Sequence, residues 1–135
     1  MKKLFVSVPM RGRTEDEIKA SIQKMKKIAE IYEGEELELI DTYIENQQDV
    51  ENQPLWCLGE SIKRMADADI FMGINETWDW NGCWIETLAA IEYKIKIYTV
   101  SASYIIDGYS DLVKSSISEE TKKTALLGRA LVRNN

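Results

Sequence analysis

The chain has 135 residues, of which 44% are hydrophobic, and it carries a formal net charge of -6. This length fits a single domain over residues 1–135 with a hydrophobic core, and the composition argues against disorder. The negative charge argues against nucleic acid as a partner, because phosphate backbones attract an excess of Lys and Arg.

Histidine is absent, and the only cysteines are Cys57 and Cys83. The absence of histidine excludes Ser-His-Asp and Cys-His catalytic arrangements, so acid–base work would fall to carboxylates, Tyr, Lys or Cys. The cysteines have no paired spacing, which predicts free thiols and no metal site. No signal peptide or long apolar run is present, so we expect a cytoplasmic protein without a membrane partner.

The first predicted elements are a short apolar strand at residues 4–8 and the long helix that follows it. Thr14 and Glu17 form a capping-box pattern at the start of this helix, and Gly34 ends it. Apolar residues spaced by three and four give the helix one inward face, which consists of Ile18, Ile22, Met25, Ile28 and Ala29.

The middle of the chain alternates between the same two kinds of element. A second strand is predicted at residues 37–40, and the polar residues 41–53 are predicted to be a loop over the sheet edge. A second helix is predicted at 55–66, a fully buried strand at 70–74, and a third helix at 82–94.

The pattern continues with a strand at residues 95–100 and with two predicted helices, at 109–114 and 118–132. Alternation of strands and helices favours a parallel sheet with helices on both faces. We therefore expect an α/β fold, a doubly wound sheet of the Rossmann or flavodoxin type with about four or five mainly parallel strands.

The switch point of such a sheet brings the carboxyl ends of the first and third strands together. Residues 9–12 and 75–86, the two most unusual loops of the chain, follow those strands. Glu86 lies near the start of the predicted third helix, where unpaired amides would tend to keep a carboxylate ionised. An ionised carboxylate is the nucleophile that covalent glycosyl transfer needs, although such a Glu more often only complements the helix dipole.

Three segments, in this order, resemble a known family: Leu4-Phe5-Val6-Ser7-Val8-Pro9-Met10-Arg11-Gly12, residues 58–69 beginning Leu58-Gly59-Glu60-Ser61-Ile62, and Gly82-Cys83-Trp84-Ile85-Glu86. They resemble the nucleoside 2-deoxyribosyltransferase superfamily, which includes the deoxynucleoside 5′-monophosphate N-glycosidases. The resemblance covers roughly the first 100 residues and extends to small phage and bacterial members.

The resemblance implies that Glu86 attacks the anomeric carbon of a deoxyribose, giving a covalent intermediate that water or a second base resolves. It implies a nucleoside or nucleotide as the partner, no cofactor or metal, and a homodimer or larger homo-oligomer. The location would be the cytoplasm of a bacterium or of a phage-infected cell. The expected substrate-binding residues are Phe5, Ser7, Pro9, Met10, Arg11, Gly12, Glu60, Ser61, Trp78, Asp79, Asn81 and Gly82.

Structural roles compete with these assignments at several positions. Arg11 and Gly12 can hold a 5′-phosphate, or they can be a surface cation and a turn. Trp78 can stack on a base or act in a lid, or it can pack over the sheet edge or in a dimer contact. Glu60 and Ser61 can contact the ligand or lie on a solvated helix face.

Three residues depart from the family pattern. Phe5 stands where a Tyr is often found, Ser61 where an Asp is usual, and Trp80 where a Ser or Asp is usual. Trp80 is expected to pack against the protein. These changes remove polar groups from the implied site, so the alternative is a nucleotide-binding protein of the same fold without turnover. A bare interaction module is the third hypothesis.

Overall fold

We describe the protein from a computed structural model, in which residues 1–45, 47, 49–107 and 109 are described. The predicted helix at 118–132 lies outside the described residues, as does all but Tyr109 of the one at 109–114. Within the described residues, the four strands are β1 (Lys3–Val6), β2 (Glu38–Leu39), β3 (Ile70–Ile74) and β4 (Lys96–Val100). The helices are α1 (Glu15–Glu33), α2 (Gln53–Met65) and α3 (Asn81–Glu92), with short 3-10 helices at Thr77–Asp79 and Ala102–Tyr104.

The strands form one parallel sheet in the order β2-β1-β3-β4. Alternate residues of β1 enter two separate cores, because side chains of a strand point to opposite faces. Leu4 and Val6 pack with α1 in one cluster, whereas Phe5 packs with Met65 of α2 and Ala90 of α3 in the other. The α/β fold with a parallel sheet and helices on both faces is therefore confirmed.

Both ends of α1 follow the predicted signals. Thr14 Oγ1 accepts a hydrogen bond from the Glu17 amide at 3.1 Å, and the Glu17 side chain accepts one from the Thr14 amide. Gly34 ends the helix with a φ of 79°, a left-handed conformation that glycine adopts without strain. The predicted inward face is confirmed for Ile18, Ile22, Met25 and Ala29, which are buried, while Ile28 is half-buried.

Two helices begin earlier than predicted. α2 starts at Gln53 because Asn52 accepts a hydrogen bond from the Leu55 amide and Pro54 lies in the first turn. α3 starts at Asn81, so Glu86 is the sixth residue of the helix and lies in its second turn. No helix in the described part of the chain is long and apolar enough to cross a membrane.

Candidate functional site

The candidate site lies at the carboxyl edge of the sheet, between β1 and β3. The chain leaves β1 towards α1 on one face and leaves β3 towards α3 on the other, which defines the switch point. The Ser7 amide donates to the Met72 carbonyl at 2.9 Å and extends the ladder one residue beyond β1. Alternation places the Ser7 side chain on the α2–α3 face, two residues after Phe5.

Glu86 is the centre of this site, and its carboxylate is held by two hydroxyl groups. Ser7 Oγ donates to Oε1 at 2.7 Å, and Ser61 Oγ donates to Oε2 at 2.6 Å. The Glu86 side chain is only 8% exposed. Side chains from β1, α2 and α3 therefore meet at one carboxylate, and each of its oxygens has one fixed donor.

Burial raises the pKa of Glu86 above its ordinary value, and the hydrogen bonds from Ser61 and Ser7 partly oppose that rise. The direction of this pKa shift is opposite to the one expected for a carboxylate at a helix start. The unpaired amides of a helix stabilise a negative charge only within the first turn. Glu86 lies beyond that turn of α3. Loss of solvent, rather than the helix dipole, dominates its ionisation.

The neighbouring residues Glu60 and Ser61 separate in the structure. Glu60 forms an ion pair with Lys63 at 2.8 Å on the outer side of α2. Ser61 is 6% exposed and points inward to Glu86. Consecutive helical residues differ in direction by about 100°, so only one of the pair can contribute to the buried cluster.

Phe5 lies beneath the site as part of the core. It is completely buried and stacks on Phe71, with ring centroids 5.6 Å apart. On this face the protein itself encloses the ring, so Phe5 forms the apolar floor below Ser7 rather than a polar contact.

The loop after β1 has one exposed cation and one fixed cation. Arg11 and Gly12 are exposed, and the φ of Gly12 is 75°. Pro9 is buried, and Met10 is half-buried against the α1-side cluster. Arg11 is therefore free of the protein core at the rim of the site, where a phosphate could reach it.

Arg13, which sequence reasoning passed over, fixes this loop. Its guanidinium donates to the Pro9 carbonyl at 2.9 Å, to Ser21 Oγ at 2.5 Å and to the Glu17 carbonyl at 3.3 Å. Ser21 in turn donates to the Ile105 carbonyl at 3.3 Å. Burial lowers the pKa of Arg13, but its ordinary value is so high that the charge persists. The available signal was a second arginine eight residues before Ser21, which corresponds to about two helical turns.

The loop before α3 is anchored on the α1 side of the sheet. Trp80 packs against the α1-side cluster, and its ring centroid is 5.9 Å from that of Tyr109. The Tyr109 hydroxyl donates to Asp79 Oδ2 at 3.0 Å. The packing role predicted for Trp80 is confirmed, and Asp79 shares the same anchor.

The remaining predicted residues lie at the start of α3 and in the loop before it. Trp78 is half-buried, Asn81 is exposed, and Gly82 is half-buried with open space where a Cβ would lie. Cys83 is buried next to them, and burial together with the Glu86 charge raises the pKa of its thiol to about 12. A thiol in that state is not a nucleophile at neutral pH.

Among the described residues, no group of three or more His, Cys, Asp or Glu side chains is placed to hold a metal ion. No protein-family model, curated protein or solved structure matches the chain. The resemblance to the nucleoside 2-deoxyribosyltransferase superfamily thus stays a prediction from the residues that carry it.

Proposed function

We propose that the protein is an N-glycosyl hydrolase or transferase that acts on deoxynucleosides or deoxynucleoside 5′-monophosphates. The observation that carries this proposal is the buried Glu86 carboxylate, held through both oxygens by Ser7 and Ser61 at the switch point of the sheet. A carboxylate that served packing alone would be costly there, because burying a charge is unfavourable. The same cost is acceptable for a nucleophile that must be held in one orientation.

The proposed reaction has two displacements at the same carbon. One Glu86 oxygen bonds to the anomeric carbon while the bond from that carbon to the base nitrogen breaks, and the base leaves with the electron pair and takes up a proton. Water or a second base then attacks the anomeric carbon and releases Glu86 as a carboxylate. The two serine hydroxyls restrict rotation of the carboxylate, so the attacking oxygen keeps its direction.

The binding roles follow from the same geometry. Arg11 is exposed beside the amides of the Gly12 turn, where a guanidinium can pair with a 5′-phosphate. Gly12 supplies the left-handed backbone of that turn. Trp78 and Gly82 lie at the start of α3, where the open space beside Gly82 can admit a base.

The direct test is release of free base from a panel of common 2′-deoxynucleosides and their 5′-monophosphates, measured by chromatography. We expect release by the wild-type protein, and a loss of at least about 10³-fold in Glu86→Gln, which keeps the side-chain size but removes the nucleophile. Glu60→Gln is the matched control, because Glu60 forms its ion pair with Lys63 on the outer side of α2, away from Glu86. Equal release by the wild type and Glu86→Gln would contradict the proposal.

A second candidate is a nucleotide-binding protein that does not turn over its ligand. It is favoured by the floor of the site, where Phe5 supplies no hydroxyl beside Glu86, and by the burial that disfavours the ionised nucleophile. This candidate predicts that a deoxynucleotide raises the melting temperature and is recovered intact. The base-release assay separates the two candidates.

We also propose that the chain forms a homodimer or a larger homo-oligomer through the α2–α3 face. α3 buries Cys83, Glu86, Thr87 and Ala90 towards the sheet. Its outer side nevertheless carries Ile85, 40% exposed, and Ile91, 55% exposed. A helix that is apolar around its circumference is typical of one covered on both sides.

A further inference from the structure

Thr42 has a buried hydroxyl group without a hydrogen-bond partner. The residue is 3% exposed, and among the described residues no donor or acceptor reaches its Oγ1. A buried polar group in this state destabilises the fold, so a protein that retains one needs another reason for it. The indole nitrogen of Trp84 is also buried, and no hydrogen-bond partner reaches it from the described part of the chain. It belongs to a residue two positions before Glu86, which places it about 200° around α3 from the carboxylate.

The sheet register places Thr42 beside the site. Leu4 of β1 pairs with Leu39 of β2, and the Ile40 amide donates to the Leu4 carbonyl at 2.9 Å. The ladder ends at this hydrogen bond, and an extension of the same register by three residues would set Thr42 opposite Ser7. Ile40 packs in the Phe5 core on the α2–α3 face, so alternation places Thr42 on that same face. Adjacent strands are about 4.8 Å apart, so on the extended register Thr42 would lie next to Ser7, whose hydroxyl holds Glu86.

The backbone around Thr42 is held from both sides. The Arg64 guanidinium donates to the Asp41 carbonyl at 2.5 Å and approaches the Tyr43 carbonyl at 3.5 Å. The Tyr43 amide donates to Asp41 Oδ1 at 3.1 Å. The Thr42 hydroxyl therefore lies on a segment whose backbone is held in place. Such preorganisation is expected of a group that binds a ligand.

We propose that Thr42 Oγ1 forms a hydrogen bond to the bound deoxyribosyl ligand and determines specificity at the site. This inference rests on the proposed function and adds a residue on the β2 side, opposite α3. A threonine hydroxyl can donate and accept, so its partner is a polar atom of the sugar or of the base next to it. Ser7 and Ser61 orient the nucleophile, whereas Thr42 orients the substrate against it.

The test compares Thr42→Val, which keeps the shape and removes the hydroxyl, with Thr42→Ser, which keeps the hydroxyl. Affinity for the common 2′-deoxynucleosides and their 5′-monophosphates is measured from the concentration dependence of the melting temperature. We expect Thr42→Val to bind about tenfold more weakly than the wild type and Thr42→Ser to bind with nearly wild-type affinity.

The melting temperature without ligand supplies an independent measurement. Thr87→Val is the matched control, because the Thr87 hydroxyl is buried but satisfied, by the Cys83 carbonyl at 2.7 Å and Thr77 Oγ1 at 3.0 Å. Thr87→Val should melt several degrees lower than the wild type, whereas Thr42→Val should melt at the same temperature or higher.

If the wild-type protein binds a nucleotide, the affinities of the two variants test the role of Thr42. Unchanged binding by Thr42→Val overturns the inference. Weaker binding by Thr42→Val, together with nearly wild-type binding by Thr42→Ser, supports it. If no nucleotide binds and no base is released, the proposed function fails. The role of Thr42 is then tested by the melting temperatures of Thr42→Val and Thr87→Val without ligand. A fall as large as that of Thr87→Val would then overturn the inference, because it would give the hydroxyl a structural role. An unchanged or higher melting temperature would show that the hydroxyl has no structural role, and the contact to a deoxyribosyl ligand would then fail together with the proposed function.

Discussion

At the scale of single residues, the ionisation of Glu86 controls what the site can do. Burial raises its pKa, while the hydroxyls of Ser7 and Ser61 stabilise the charged form. In the proposed reaction the nucleophilic carboxylate must be ionised, so we expect less activity below the raised pKa of Glu86 and more activity above it. Under this proposal, the two serine hydroxyls help to set the pH at which Glu86 becomes available as the nucleophile.

Removal of the Ser61 hydroxyl should therefore move the acidic limb of the pH–rate profile. In Ser61→Ala, the charged form loses a donor at 2.6 Å, so we expect the limb to shift to higher pH. On the acidic side, kcat/KM should fall roughly tenfold relative to the wild type. The measurement is kcat/KM for base release across the pH range from acid to neutral.

Ser21→Ala is the control for that experiment. Ser21 is equally buried, but its hydroxyl contacts Arg13 and the Ile105 carbonyl rather than Glu86. This variant can lower the rate by loosening the loop after β1, yet its acidic limb should stay in place. A Ser61→Ala profile with an unmoved limb would show that Ser61 does not tune the nucleophile.

At the scale of elements, an ion cluster at the amino edge of the sheet joins α1 to two strands. Glu33 in the last turn of α1 accepts from Lys2 Nζ at 2.7 Å, from Lys96 Nζ at 2.8 Å and from the Tyr98 hydroxyl at 2.7 Å. The Glu33 side chain is 5% exposed. A negative charge at the carboxyl end of a helix interacts unfavourably with the helix dipole. The three donors offset this unfavourable interaction at Glu33.

The same cluster predicts a pH-dependent stability. Hydrogen bonds from Lys2, Lys96 and Tyr98 lower the pKa of Glu33 to about 2. A carboxyl with a lowered pKa in the folded state stabilises the protein above its ordinary pKa, and the stabilisation disappears as the pH falls towards the lowered value. In urea unfolding experiments, the wild type should exceed Glu33→Gln in stability above about pH 5, and the difference should vanish near the lowered pKa.

Glu35→Gln serves as the control for Glu33→Gln. Its carboxylate lies 3.6 Å from Lys2 Nζ, but its side chain is 49% exposed, so water screens the pair. We expect little difference from the wild type at any pH. A constant difference between the wild type and Glu33→Gln down to strongly acidic pH would contradict the assigned role of the cluster.

The elements also show what the sequence could predict. The capping box at Thr14, the glycine at Gly34 and the buried run at 70–74 are local signals, and each one located its element. The inward turn of Ser61 depends on how α2 is rotated against the sheet, which no local spacing determines. Thr42 lies in a polar segment after β2, and its burial depends on tertiary packing that no local pattern indicates.

The candidate site divides in the same way. Glu86 could be located from its distance after a buried strand and from the Gly82-to-Glu86 pattern. The direction of its pKa shift could not be predicted from the sequence, because the shift depends on how completely α2 and β1 cover the carboxylate. Arg13 and Arg11 are both cations of one loop in the sequence, and only tertiary contacts distinguish the anchor from the exposed rim residue.

At the scale of the whole molecule, the two faces of the sheet differ in what covers them. The α1 face holds the larger core and carries the anchors of both loops that border the site. The α2–α3 face holds the smaller core and buries the Ser7–Glu86–Ser61 cluster, and its helices expose Leu55, Ile85 and Ile91. α1 likewise exposes Ile31 and Tyr32, so what distinguishes the α2–α3 face is that its exposed side chains lie on the helices that bury the cluster. Covering that face by a second subunit would add apolar burial close to the nucleophile without altering the loops on the other side.

The oligomeric state tests this difference between the faces. We expect sedimentation equilibrium to give a wild-type mass of two chains or more, and Ile85→Lys and Ile91→Lys each to shift the equilibrium towards the monomer. A lysine in a buried apolar contact must lose its hydration without a partner, which weakens association by at least about tenfold. Ile31→Lys is the matched control, because Ile31 is 77% exposed on α1, on the opposite face. A monomeric wild type would contradict the proposed assembly, and dissociation by Ile31→Lys alone would place the interface on the α1 face instead.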